Sequence, residues 1–329
     1  MLNLNLYNNP FHTRDLSEYK FLITGGAGFI GSNIVEYLLK YNAGYVRVLD
    51  NLSNGYWENI KSFSKQPNFE FVEGDIRDIE TCKMAVNGMN FISHQAALGS
   101  VPRSIKDPIL TNSVNISGFL NMLVAAKEEK SVIKMVYAAS SSTYGDHPAL
   151  PKKEHLIGKP LSPYAITKYV NELYADVFSK VYNFHTIGLR YFNVFGPKQS
   201  PDNPYAAVIP LFLKAALSGV APTINGDGET SRDFTFVENA VQANIRAMLD
   251  DKSINSSEVI NIACGDQTSL NQLWQIISSV SGIDITPKYL PERTGDIKHS
   301  LADINKAFEL IGYEPTVMIQ RGIELTIKG

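Results

Sequence analysis

Two cysteines in 329 residues, Cys82 and Cys264, are too few and too far apart to form a disulfide framework. A chain of this length buries enough surface to fold without such staples, and the shortage fits a reducing cytoplasm. The six histidines, His12, His94, His147, His155, His185 and His299, lack the close spacing of zinc ligands, so no metal is expected. Basic charge is not in excess: 30 Lys and Arg against 33 Asp and Glu leave a net −3. That balance argues against a nucleic-acid partner, which calls for a basic stripe. No apolar run approaches the length of a membrane span, and the Asn-rich first 19 residues lack a cationic-then-apolar secretory pattern. A cytoplasmic protein with no membrane partner is the expectation. Repeats and low-complexity tracts are also missing.

From Lys20 onward, apolar runs alternate with amphipathic stretches, which predicts an α/β fold with a doubly wound parallel sheet. Strands are expected at Phe21–Thr24, Val46–Leu49, Phe69–Val72, Asn90–His94, Lys134–Tyr137 and Phe184–Leu189. After Phe195-Gly196-Pro197 the alternation lapses into a proline-rich stretch with short elements. Phe234–Val237 and the helix after it read as a return to the sheet. The expected division is an N-terminal arm over 1–19 and a Rossmann-type domain over 20–196 with a return segment at 234–263. A smaller C-terminal substrate-binding lobe would take 197–233 and 264–329.

Gly25-Gly26-Ala27-Gly28-Phe29-Ile30-Gly31 follows the first strand and opens a helix. Glycines at this spacing let a backbone turn tightly and approach a pyrophosphate, whose charge is held by the helix N-terminus. Asp50 ends the next strand, where a carboxylate accepts both ribose hydroxyls and repels a 2′-phosphate. NAD is therefore the predicted cofactor, in preference to NADP. Asp75 and Ile76, after the third strand, are placed to hold an adenine edge; Asp75 also reads simply as a loop residue.

Tyr164 and Lys168, four residues apart on an expected helix, share one face. An ammonium beside a phenol favours the phenolate, and such a tyrosine exchanges protons with a substrate hydroxyl. Taken alone, the same pair is a common helix-surface pairing.

These motifs, together with Gly74-Asp75-Ile76, His94-Gln95-Ala96-Ala97, Ala139-Ser140-Ser141-Ser142 and Arg190-Tyr191-Phe192-Asn193, resemble the extended short-chain dehydrogenase/reductases in type and order. The likeness covers nearly all of residues 20–328 and narrows to the UDP-sugar 4-epimerases. Gly99–Ser104, Asn225–Gly228, Ser231–Phe234 and the stretch 295–300 are similar to the bacterial UDP-N-acetylglucosamine 4-epimerases of surface-polysaccharide synthesis.

The resemblance implies that Tyr164 takes the proton of the sugar 4-hydroxyl while C4 gives hydride to NAD, which is regenerated in each cycle. Lys168 would hold the nicotinamide ribose, and Ser140, with Ser141 or Ser142 sharing the role, would bond the reacting oxygen. It places Asn51, Ser53, Asn54, Gly55, Gln95, Ala96, Ala97, Asn115 and Tyr191 along the cofactor. Gly99, Ser100, Asn193, Ala207, Val208, Asn225, Asp296 and Ser300 would line the substrate, with Arg232 and Arg293 clamping its diphosphate. Plainer roles stand beside these: turn-forming serines, a turn-forming Asn193, a packed Tyr191, and surface ion pairs for either arginine.

Ser300 falls where epimerases without N-acetyl activity carry a tyrosine, which implies room for an acetamido group. The same serine also reads as a helix N-cap with Asp303 at the capping-box position. Thr223 replaces a tyrosine of close relatives, which implies weaker stacking on uracil. Nucleotide-sugar dehydratases of this fold need carboxylates beside the active-site hydroxyl, and Ser141-Ser142-Thr143 supplies none. A dehydrogenase that releases NADH and a non-enzymatic NAD sensor are the further alternatives, although the sensor reading conflicts with the retained Tyr and Lys. By analogy with such relatives, the expected partners are a UDP-N-acetylhexosamine and a second copy of the chain.

Overall fold

The computed structural model describes residues 6–200, 207–250, 256–292 and 298–328. Seven strands form one parallel sheet. They are β1 (Lys20–Thr24), β2 (Tyr45–Asp50), β3 (Phe69–Glu73), β4 (Phe91–His94), β5 (Lys134–Ser140), β6 (Thr186–Tyr191) and a last strand, Glu258–Ile262. Their spatial order is β3-β2-β1-β4-β5-β6 followed by Glu258–Ile262. The order reverses between β1 and β4, and a crevice opens beyond the strand ends at such a point.

Alternation along each strand feeds two cores. Phe21 and Ile23 of β1 join the core under helix α1 (Phe29–Lys40) and helix Val237–Leu249. Leu22 points the other way, into the core under α2 (Ile79–Val86), the run Pro108–Glu128 and helix Pro163–Tyr182. Burial on both faces is why these strands read as nearly continuous apolar runs.

The six expected strands are all in the sheet, with β5 reaching Ser140 and β6 starting at Thr186. The expected return at Phe234–Val237 needs correcting. Thr235–Phe236 pairs only with Val194–Phe195, outside the main sheet. The chain re-enters the sheet one helix later, when Glu258–Ile262 pairs with β6, because a parallel neighbour needs a crossover first.

The expectation about apolar runs also needs correcting: Pro108–Glu128 is long and apolar enough to span a membrane by length and composition. Its buried Thr111 and Asn115 and its packing against α2 and helix Pro163–Tyr182 make it a core helix of this fold.

Short pairings complete the chain: Thr223–Asn225 with Lys288–Leu290, and Ser231–Arg232 with Thr268–Ser269. Helix Leu270–Ser281 starts with a full capping box between Ser269 and Gln272. Ser300 caps no helix; helix Asn305–Ile311 begins later, and the Asp303 carboxylate accepts from the Asn305 amide instead.

In the arm, Tyr7 is completely buried with φ of 58°. Its hydroxyl donates to Asn33 Oδ1 (2.8 Å), its amide donates to Glu238 Oε2 (3.2 Å), and its carbonyl accepts from Tyr41. Asn33 in turn donates to the carbonyls of Phe29 and Pro197.

Candidate active site

A cavity of about 520 Å³ runs along the C-terminal ends of β1, β2, β4 and β5. Gly25 turns with φ of +67°, and a Cβ there would stand 2.7 Å from the Ala96 amide nitrogen. A Cβ on Gly31 would collide with the Gly25 carbonyl. Gly28 caps α1 without any side-chain hydrogen bond, so the first amides of the helix are left to an anion.

The buried Asp50 carboxylate accepts from the Ala27 and Leu52 amides (3.0 and 2.9 Å) and still lines the cavity. Burial raises its carboxyl above the usual value and the two amides draw it back. Tight glycine turn, uncapped helix start and strand-end carboxylate together fit a dinucleotide. Asn51, Ser53, Asn54, Gly55, Asp75, Ile76, Gln95, Ala96 and Ala97 line the same cavity, as do Phe29 and Ile30.

The far end of the cavity carries Ser140, Ser141, Tyr164, Lys168, Tyr191 and Asn193, with Gly99 and Ser100 on its rim. Ser162 caps the helix that supplies Tyr164 and Lys168, its side chain accepting from the Ala165 amide. Ser140 Oγ accepts from the amide and the hydroxyl of Ser142 (3.2 and 2.9 Å), which leaves its own proton to give toward Tyr164.

Lys168 Nζ donates to the Ala138 carbonyl at 2.7 Å, and burial pulls its ammonium down to about 8. Tyr164 departs from expectation. Burial raises its phenol above 10, and the group drawing it down is the Ser140 hydroxyl rather than Lys168. The loss of water around a buried phenolate outweighs the help of the Ser140 hydroxyl.

A second cavity, of about 600 Å³, shares Asn193 and Val194 with the first. Ala207, Val208, Thr223, Asn225 and Arg232 line it. Arg232 Nη1 donates to the carbonyls of Ser231 and Lys298 (2.9 and 3.2 Å). Asn193, at the junction, has φ of 36°, a conformation L-residues seldom adopt. Its side-chain amide donates to the Asp233 carbonyl at 2.9 Å.

Several expected residues sit elsewhere. Asn115 is buried off the cavity wall, bonded through its side chain to both main-chain groups of Leu98 and to Thr167. An amide that donates and accepts at once is suited to bracing that loop from behind. Ser142 faces Ser140 and lies outside the lining of either cavity. Asp75 lines the cofactor cavity, but its carboxylate is engaged by Arg77 and Asn51, which hold it down at about 2. Ser300 lies outside both linings, its amide donating to the Ser231 carbonyl beside Arg232. Arg293 and Asp296 fall outside the described residues.

Sequence reasoning missed a polar cluster behind Tyr191. Asn244 donates to the Tyr191 hydroxyl (2.6 Å), which donates to Gln95, and Gln95 donates to Ser93 and Asn244. Thr230, Phe212, Phe234 and Leu270 in the second cavity were missed as well. Glu172, one turn past Lys168, was also overlooked; it holds Arg190 through Nε and Nη2 at 2.9 and 2.7 Å. The i, i+4 spacing of Tyr164, Lys168 and Glu172 was the available signal for that residue.

Comparison with known proteins agrees with this geometry. Residues 21–263 match the family described as "NAD dependent epimerase/dehydratase family". The UDP-glucose 4-epimerase of Mycolicibacterium smegmatis is 36% identical over 309 residues, covering 93% of this chain and 97% of that protein. The solved UDP-N-acetylglucosamine 4-epimerase of Methanobrevibacter ruminantium M1, in complex with UDP-N-acetylmuramic acid, superposes with a TM-score of 0.88 at 40% identity, covering 94% and 97% of the two chains. The UDP-glucuronic acid 4-epimerase of Bacillus cereus, solved with UDP-glucuronic acid and NAD, gives 0.85 at 32% identity over 94% and 98%. The chain belongs to the NAD dependent epimerase/dehydratase family of extended short-chain dehydrogenase/reductases, alongside UDP-sugar 4-epimerases, and its cofactor is NAD.

Proposed function

We propose that this enzyme inverts C4 of a UDP-N-acetylhexosamine, interconverting UDP-N-acetylglucosamine and UDP-N-acetylgalactosamine. The observation that carries the reading is the junction of the two cavities. Tyr164, Ser140 and Lys168 lie in the cofactor cavity, which meets at Asn193 a second cavity walled by Arg232 and Asn225. A nucleotide sugar laid across that junction would bring its hexose to Tyr164 and its diphosphate to Arg232. The Methanobrevibacter relative supports an N-acetylated sugar; Ser300, outside both cavity linings, enters only through the resemblance that gave it a specificity role.

The Gly25–Gly31 turn, the start of α1 and Asp50 would hold NAD, which when bound would supply the hydride acceptor and donor for C4. Tyr164 removes the 4-hydroxyl proton, with Ser140 donating to the same oxygen, and gives the proton back after the keto sugar turns. Lys168 lines the same cavity as Tyr164 and would supply positive charge to the phenol and to the cofactor ribose. The absence of a carboxylate at Ser141-Ser142-Thr143 disfavours loss of water from the sugar.

The domain division over 20–196 with 234–263, against 197–233 with 264–329, follows the same reading as cofactor and substrate halves. A homodimer in the cytoplasm completes the proposal. Ile166, Leu173 and Val177 on helix Pro163–Tyr182 and Ile109 beside them are exposed apolar side chains suited to a partner copy.

The test is proton NMR of purified protein incubated without added NAD. Conversion of UDP-N-acetylglucosamine to its C4 epimer, with no NADH accumulating, is expected. Conversion of UDP-glucose or UDP-glucuronic acid alone would transfer the assignment to those sugars, and no inversion of any of them would sink it. In the same assay Ser300→Tyr should cost UDP-N-acetylglucosamine activity by about tenfold or more while sparing UDP-glucose, the size of one unfavourable contact of about 1.4 kcal/mol. Unchanged activity on the acetylated sugar would remove Ser300 from the specificity argument.

A further inference from the structure

Asp233 is a fully buried carboxylate with no role in the chemistry above. It stands between Arg232 and Phe234, both of which line the second cavity. Its Oδ1 accepts from the Cys264 amide (2.9 Å), and its Oδ2 from the amides of Gly265 and Ala302 (3.0 and 3.2 Å). No cation is bonded to it among the described contacts.

Three backbone segments therefore converge on one side chain. The first is its own segment, directly after the short strand Ser231–Arg232. The second is the turn that ends strand Glu258–Ile262. The third is the stretch 298–303, which runs past Ser300 and bridges Lys152 through Ala302. A fourth tie is made by its carbonyl, which accepts from Asn193 at the cavity junction. Hydrogen bonds to a charged acceptor are the strong ones, and leaving buried amides unmatched is costly. Burial raises the carboxyl to about 6 while the three amides draw it down, so the group is mainly an acceptor at neutral pH.

We infer that Asp233 is a positioning residue for nucleotide binding: through the backbone amides of Cys264, Gly265 and Ala302 it fixes those two segments behind Arg232, the cavity-lining side chain that would receive the UDP diphosphate. The inference rests on the second cavity being the UDP site, as proposed above. The Asp233 carboxylate touches neither cavity; its effect passes through Arg232 and the neighbouring segments.

The experiment compares wild-type protein with Asp233→Asn and Asp233→Glu by calorimetric titration with UDP, alongside NAD released from each purified protein and the kcat for epimerisation. Asparagine keeps the shape but turns an NH₂ toward amides that need an acceptor. Glutamate keeps the charge but is one methylene too long to hold all three bonds. The expected result is a UDP Kd raised by about tenfold or more in Asp233→Asn, one lost strong contact, with NAD content and kcat at saturating substrate near wild type. General damage to the fold would lower UDP affinity, NAD content and kcat together and overturn the positioning role. Wild-type UDP affinity in a folded, NAD-loaded Asp233→Asn would overturn it too. If that variant does not fold, Asp233→Glu decides: raised Kd supports the inference and unchanged Kd defeats it. Failure of the wild-type protein to bind UDP at all would instead overturn the reading of the cavity and the inference with it.

Discussion

Tyr164→Phe should lower kcat for epimerisation by about 10²–10⁴-fold, the range supplied by a positioned acid–base group, with little change in NAD content. Phenylalanine keeps the half-buried ring in the cavity wall, so the loss is confined to the hydroxyl. That hydroxyl is the group toward which Ser140 can donate, since Ser140 Oγ already accepts twice from Ser142. Burial raises the phenol, so in wild type the rate should climb with pH as the phenolate fraction grows. In Tyr164→Phe the small remaining rate should lose that climb. Steady-state kinetics from pH 6 to 10 on both proteins checks it. A variant that retains more than a tenth of wild-type kcat would remove Tyr164 from the role of base.

The second large effect concerns stability. Glu172→Gln should destabilise the protein by about 3–5 kcal/mol, the usual result of leaving a buried charge without its partner. Arg190 and Glu172 have side chains only 3% and 6% exposed, and their bond is two-pronged. The guanidinium also lies 4.8 Å from the Tyr144 ring centroid and donates to the Glu154 carbonyl, so it has no route to water. Denaturant unfolding would measure the loss, and a change under 1 kcal/mol would contradict it.

A shift in titration accompanies this loss. Glu172 supports the Lys168 ammonium, which burial depresses to about 8. Removing the carboxylate lowers Lys168 further, so the pH at which its ammonium gives up a proton should fall. The linkage has a definite direction. Because the folded value of Lys168 lies below its unfolded value near 10.5, burying it costs stability below about pH 8. That cost fades as the pH rises toward the unfolded value.

What was legible in the sequence was whatever backbone geometry restricts to few residue types. Gly25 and Gly31 could be read because a Cβ at either position strikes neighbouring backbone. Tyr164 and Lys168 were legible because helical periodicity alone puts them together. The seventh strand, Glu258–Ile262, was hidden: five residues with a charge and an amide give little pattern, and pairing with β6 decides it. Asn115 read as a ligand because an amide serves ligand and loop equally well, and only packing against Leu98 and Thr167 separates the two roles. Asp233 sat in a quoted motif without a role, since its three amide donors lie at least 31 residues away in sequence. The lowered phenol expected from the Tyr–Lys pair failed for a related reason. Spacing reports proximity, and it carries no information about how much water the fold removes.

The arm bears on how the chain could be cut or joined to other proteins. The family match begins at residue 21, which invites a truncation at that boundary. Tyr7 lies well before it, yet it is enclosed by α1 and helix Val237–Leu249, and Asn33 passes its hydrogen bonding on to Phe29 at the start of the phosphate loop helix. A fragment starting at Lys20 would open a tyrosine-sized hole against the back of that helix. The shared family segment is thus smaller than the unit that folds, and fusion partners belong ahead of Leu6 rather than at the domain edge.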